Sequence, residues 1–194
     1  MFDEHEILAR LDGSVQAVSS LRERVDQIQF INKLIIERLD AGATLFTCGN
    51  GGSAAQALHL AEEMIGRYRA NRPAVRAVCL NADPTAITCI ANDFGFENIF
   101  ARQCEALVDE GDVLVVLSTS GNSENISRAV QTSTQRGAHT IGLLGHNGGT
   151  CKDLCDHALI VAGEDAAHIQ EAHQVVIHLM CEAIERTLAA KAAE

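Results

Sequence analysis

The sequence predicts an α/β protein built on a parallel sheet with helices on both faces. Three observations carry this. Short apolar runs alternate with helical stretches along most of the chain. The clearest run, Asp112-Val113-Leu114-Val115-Val116-Leu117, lacks polar alternation and reads as a strand buried on both faces. Polar, glycine-containing loops follow apolar runs at residues 48–53, 118–123 and 145–149, where strands hand over to helices. The length of 194 residues suits a single domain, 1–194, and there is no repeat, low-complexity segment or linker.

The elements follow in order. Residues 4–41 read as helix. Ile7, Leu8, Leu11, Val15, Val18 and Leu21 recur at helical spacing, and Val25, Ile28, Ile31, Leu34, Ile35 and Leu39 continue it. Gly42 fits as its stop. Apolar residues lie on more than one side, which suits packing against another subunit. Residues 43–48 form a first strand and 52–68 a helix. After a polar connection, 74–80 is a strand. Residues 83–91 make a short helix with Pro84 in its first turn. Residues 92–96 read as a turn carrying aromatics, and 98–108 as helix. Strand 112–117 leads through loop 118–123 to helix 123–136. Strand 140–144, loop 145–149, a short helix at 150–154 and strand 158–161 follow. A long helix, 166–190, closes the pattern.

Composition excludes several classes. The formal net charge is −11, which argues against a nucleic-acid or anionic-membrane surface. Seven cysteines are scattered with no C-x-x-C pair. Cys151 and Cys155 lack a second pair, so the thiols read as free, in a reducing cytosol. The first residues are acidic and lack a signal-peptide core, and no apolar run approaches a membrane span. The expectation is a cytoplasmic protein.

Two loops carry candidate chemistry. The loop Ser118-Thr119-Ser120-Gly121-Asn122-Ser123 offers four hydroxyls at a helix N-terminus, which binds a phosphate without Lys or Arg. No G-x-x-x-x-G-K-[ST] occurs, which excludes a P-loop. Gly49-x-Gly51-x-x-Ala54 fits the loose dinucleotide fingerprint. The next strand ends in Leu80-Asn81-Ala82, without the acid that would hold a ribose. The other loop, Cys48-Gly49-Asn50-Gly51-Gly52-Ser53, also opens a helix and suits an anion or polar substrate. His59 and Glu63 follow it four residues apart, about 40° around a helix, so both face one way. In the last helix Gln170 and His178 are eight apart, about 80° around. Together these make a four-ligand N/O site for zinc or another divalent ion, with His173 an equal candidate from spacing.

These residues resemble a family. Cys48 to Ser53, His59-x-x-x-Glu63, Gly66-Arg67-Tyr68, Asn92-Asp93-Phe94-Gly95-Phe96, Ser118 to Ser123, and Ile169-Gln170-Glu171 with His178 recur in this order in the phosphoheptose isomerases. These belong to the SIS (sugar isomerase) domain superfamily. The resemblance covers nearly the whole chain. It implies a flavodoxin-like three-layer sandwich with a five-stranded parallel sheet and long N- and C-terminal helices. The chain is then a single SIS domain, 1–194, whose helical segment 1–42 takes part in oligomer packing.

The resemblance also implies conversion of D-sedoheptulose 7-phosphate to D-glycero-D-manno-heptose 7-phosphate, an early step in heptose supply for cell-surface glycoconjugates such as lipopolysaccharide. It implies one Zn2+ per subunit on His59, Glu63, Gln170 and His178. Substrate contacts fall on Asn50, Gly51, Gly52, Ser53, Glu63, Asn92, Asp93, Ser118, Thr119, Ser120, Ser123 and Gln170, with Arg67 as a supporting group. A homotetramer with sites at subunit interfaces is expected. For an isomerisation through a cis-enediol, Glu63 is the base and His178 the opposing acid. Relatives often carry Arg before the equivalent of Ile169, and some Asp before that; here His168 and Ala167 stand there. The rival readings are a non-catalytic SIS protein that binds the replication initiator, and an isomerase of another sugar phosphate.

Overall fold

The computed structural model describes residue 1 and residues 3–192. The chain runs α1 (Glu4–Ser20), a 3-10 turn (Leu21–Arg24), α2 (Val25–Asp40), β1 (Leu45–Gly49), α3 (Gly52–Ile65) and β2 (Ala77–Cys79). It continues with α4 (Pro84–Phe94), a 3-10 turn (Phe96–Asn98), α5 (Ala101–Leu107), β3 (Val113–Ser118) and α6 (Glu124–Gln135). The last elements are β4 (His139–Gly145), α7 (Cys151–Leu154), β5 (His157–Val161) and α8 (Ala166–Ala192). The five strands pair in parallel in the order β2-β1-β3-β4-β5. This is the expected three-layer sandwich. The order reverses direction between β1 and β3, so the loops after these two strands flank the crevice where such sheets bind ligands.

Strand alternation sorts the core into two layers. Leu45, Val113, Val115 and Leu117 point towards α2, α3 and α8, where they meet Ile31, Ile35, Leu60, Met64, Ile169 and Val176. Phe46, Cys48, Leu114 and Val116 point the other way, against Phe100, Cys104, Ile126 and Val130. Full burial of each large aliphatic side chain stabilises by about 2 kcal/mol. The strands read as continuous apolar runs because both faces are covered.

Boundaries differ from the sequence reading where local chemistry intervenes. The N-terminal helix breaks at Leu21–Arg24. Gly42 does stop α2: at φ 91° its N–H reaches the Leu39 carbonyl, and the Ala43 N–H reaches the Arg38 carbonyl, a Schellman closure. Helix α3 ends at Ile65 and not at 68. Strand β2 shrinks to three residues. Helix α4 runs to Phe94, so Asn92 and Asp93 lie in its last turn. Asp83 caps its start through the Thr85 and Ala86 N–H groups, and no breaker follows until Gly95.

All seven cysteines are free. Burial pushes the Cys104 thiol up to about 11 and the Cys155 thiol up to about 12, so these are inert core groups. On α1, Ile7, Leu8, Leu11 and Val15 stay exposed while Ala17 is buried, as is Leu21 in the turn that follows. Among the described residues no helix is long and apolar enough to cross a membrane.

Candidate active site

Helices α3 and α8 lie side by side, and their contacts advance together. A Cβ built on Gly52 would stand 2.7 Å from the Gln170 side-chain amide, so a larger residue there would push that amide aside. One turn on, Gln56 Nε2 donates to the Gln170 backbone carbonyl at 2.7 Å and to Gln174 Oε1 at 3.3 Å. Further along, His59 Nε2 is 3.3 Å from His178 Nε2 and 3.8 Å from Glu63 Oε1. Glu62 stands 3.8 Å from the other ring nitrogen of His59. The ligand-type atoms of His59, Glu62 and Glu63 lie within 4.8 Å of one another.

The structure therefore brings His59, Glu63 and His178 together. It sets Gln170 against Gly52, two turns from His178, and puts Gln174 between them. His173 is fully buried, with Nε2 3.1 Å from the Leu144 carbonyl. It serves the core, and burial pushes its pKa down to about 4. For tetrahedral zinc with Zn–N bonds of about 2.0–2.1 Å, two nitrogen ligands stand about 3.3 Å apart. The His59–His178 approach of 3.3 Å and the adjoining carboxylate fit such a donor set.

The far end of α3 is held by a buried clamp. The Arg72 guanidinium donates to the backbone carbonyls of Glu63 and Met64. Its Nε lies 3.8 Å from Glu185, and neither side chain is appreciably exposed. The Glu185 carboxylate also accepts the N–H groups of Tyr68, Arg69 and Ala70. Burial disfavours the charged form of Glu185, but these donors and Arg72 outweigh it and hold its pKa below the usual carboxylate range. The clamp seats Tyr68, whose ring stacks on His178 with centroids 5.6 Å apart.

The two loops meet at the mouth of the crevice. Asn50 and Asn125 exchange amide hydrogen bonds at 2.9 Å, tying the first loop to the start of α6. Asn81 clasps Gly49 through both its amide groups, which is the use found for the residue where a dinucleotide fold would place an acid. In the second loop Ser118 Oγ accepts the Gly121 N–H at 3.0 Å, and Ser120 Oγ accepts the Asn122 N–H at 3.2 Å. Ser123 occupies the N-cap position of α6, yet its hydroxyl makes no capping bond. Its O–H, with those of Thr119 and Ser120, is a donor that a ligand could take. Gly121 packs its α-carbon against the third loop, and a Cβ there would stand 2.0 Å from the Gly148 carbonyl oxygen.

Other positions lie further out. Asn92 and Asp93 are exposed and bonded to each other at 2.7 Å. Ser53 is buried at the first turn of α3, with its N–H on the Asn50 carbonyl, and Gly51 bounds that turn. Arg67 is exposed and pairs with Asn71. His168 turns to α1, where it covers Gly13 and lines a cavity of about 570 Å³ with Arg10 and Asp165.

Sequence reasoning missed Gln56, Gln174, Asn125, Arg72 and Glu185. Gln174 was within reach, since Gln170, Gln174 and His178 repeat at four-residue spacing along one face.

The comparisons agree with this geometry. The SIS domain family profile matches residues 12–145. A phosphoheptose isomerase of Geobacter sulfurreducens is 44% identical over 184 residues, covering 94% of this chain and 97% of the relative. One of Helicobacter pylori is 43% identical over 188 residues, covering 97% and 96%. Among solved structures, a phosphoheptose isomerase from Francisella tularensis superimposes with TM-score 0.92 at 32% identity, covering 96% of this chain and all of the other (100%). One from Neisseria gonorrhoeae gives 0.89 at 37% identity, covering 94% and 98%. A five-stranded parallel sandwich with His59, Glu63 and His178 gathered between α3 and α8, matched over at least 94% of the chain by such relatives, leaves one assignment: the chain belongs to the SIS domain family and, within it, to the phosphoheptose isomerases.

Proposed function

We propose that this chain isomerises D-sedoheptulose 7-phosphate to D-glycero-D-manno-heptose 7-phosphate, within the cytoplasm, as a step of heptose supply for cell-surface glycoconjugates. The observation that carries this is the meeting of His59, Glu63 and His178 where α3, which opens from the first donor-rich loop, packs along α8. The hydroxyls of Ser118, Thr119, Ser120 and Ser123 and the start of α6 bind the phosphate. Asn50, Gly51, Gly52 and Gln170 hold the sugar, and Asn92 and Asp93 close on its far end. Glu63 takes the proton from carbon as the cis-enediol forms, and His178 serves the oxygens. His59, Glu63, Gln170 and His178 would hold one Zn2+ per subunit, which polarises the carbonyl and hydroxyl oxygens.

Assembly belongs to the same proposal. Ile7, Leu8, Leu11 and Val15 on α1 and Leu58 and Ile65 on α3 are exposed apolar residues in the single chain. A homotetramer covers them and sets each site at a subunit interface. The test is a panel of ketose phosphates of five to seven carbons, followed by NMR for the aldose product. The seven-carbon substrate should turn over fastest. Faster turnover of a shorter ketose overturns the substrate assignment, and no turnover of any overturns the isomerase reading.

A further inference from the structure

We infer that Gln174, oriented by Gln56, is a positioning residue that sets the ring tautomer of His178, leaving the lone pair on Nε2 and the proton on Nδ1. The inference rests on reading His178 as a site residue and concerns how that residue is prepared.

The orientation starts from a group that has no choice. The Gln170 backbone carbonyl only accepts, and Gln56 approaches it at 2.7 Å. The Gln56 atom there must be its amide nitrogen, because two oxygens at that distance repel. The Gln56 carbonyl oxygen is buried without a partner, so turning the amide round gains nothing on that side. The same amide nitrogen lies 3.3 Å from Gln174 and donates its second hydrogen. Gln174 therefore presents its oxygen to Gln56. Its own NH2 is left facing His178 Nε2 at 2.9 Å. An amide nitrogen is not an acceptor. If Nε2 also carried a proton, two donors would face each other at hydrogen-bond distance with nothing between them to accept. The contact is a bond only when Nε2 holds the lone pair.

The consequence falls on the chemistry. Nε2 is the ring atom turned towards His59, 3.3 Å away, and beyond it to Glu63. Nε2 has one lone pair, so a cation or a substrate proton takes it only in place of the Gln174 hydrogen bond, and the tautomer that Gln174 sets is the one ready for either. On a ring not bound to a cation, the substrate O–H bond would break as the Nε2–H bond forms, and the same proton would then pass to the neighbouring oxygen, with no net gain. Tyr68 stacked on the ring keeps its plane fixed through both steps.

The test uses full-length protein labelled with 15N-histidine, chelated free of metal, at a pH about two units above the ordinary imidazole value of ~6.5. Long-range 15N–1H spectra separate lone-pair from protonated ring nitrogens, and loss of signals in His178→Asn assigns them. Wild type should show the lone pair on Nε2. Gln174→Glu keeps the shape and the Gln56 bond but turns the donor into an acceptor, so Nε2 should gain a proton. If circular dichroism shows that variant unfolded, Gln174→Met decides, and both tautomers should then be populated. A proton on Nε2 in wild type overturns the inference, as does a pattern unchanged in the folded variants. Neither result bears on turnover by Glu63, so the two claims fail separately.

Discussion

Lowering the pH should destabilise this fold through His173, and His173→Gln should remove that part of the loss. The ring is fully buried, its Nε2 is bonded to the Leu144 carbonyl, and its Nδ1 has no partner. A proton on Nδ1 would create a buried charge and an unpaired donor, and burial pushes the pKa from 6.5 down to about 4. The folded chain therefore holds this ring neutral while the unfolded chain protonates it. Stability from this source is complete above the unfolded value and is lost as pH falls from 6.5 towards 4. The whole gap corresponds to ~3 kcal/mol, and at about pH 5 the loss is ~2 kcal/mol. Urea unfolding at about pH 7.5 and pH 5, at one protein concentration, measures it. Gln can donate to the Leu144 carbonyl from the same place without titrating. Wild type should lose ~2 kcal/mol more than the variant between the two pH values. Equal losses would refute the reasoning.

Further outcomes follow from the same geometry. Glu185→Ala leaves Arg72 and three backbone donors unpaired, so denaturant unfolding should show a cost of about 3 kcal/mol. Turnover should fall with it, because Tyr68 loses its seat beneath His178. Ser120→Ala removes a phosphate donor remote from the reacting carbons, so the KM should rise more than kcat falls; an unchanged KM speaks against the phosphate loop. Gly121→Ala forces a Cβ onto the Gly148 carbonyl at φ 65°, where the conformational term alone is about 1–2 kcal/mol. Its Tm should drop, and calorimetric binding of inorganic phosphate should weaken.

The sheet was legible because its strands are apolar runs bounded by polar loops. The apolar run 112–117 predicts a strand, and β3 covers Val113–Ser118. The connection after α3 was harder. Residues 66–68 have a helical look, but Glu185, more than a hundred positions away, takes their neighbourhood's N–H groups and pulls the chain off the helix. No local pattern announces that. The stop of α4 was misplaced for the opposite reason: the aromatic segment suggests a turn, while Asp83 and the late Gly95 let the helix run on. In the site, helical spacing pairs His59 with Glu63 because α3 is regular; it leaves Gln170 and His173 equal, and joining His178 to the pair rests on the resemblance to the phosphoheptose isomerases. The glutamines escaped notice because an amide at a partly buried position resembles any polar surface residue. Only the register of α3 against α8 gives Gln56 and Gln174 their role. The reading of residues 4–21 by periodicity also needs its complement, since Ile7, Leu8, Leu11 and Val15 mark a face that the single chain leaves open.

The central claim is that Glu63 removes the carbon-bound proton. Glu63→Gln keeps size and polarity but cannot act as a base. The direct measurement is turnover of sedoheptulose 7-phosphate in D2O, following deuterium at C2 of the aldose by NMR, with circular dichroism and light scattering matched to wild type. Losing a positioned base should slow turnover and deuterium incorporation together by ~10²–10⁴-fold. A folded Glu63→Gln protein that isomerises the sugar at close to the wild-type rate would contradict the account.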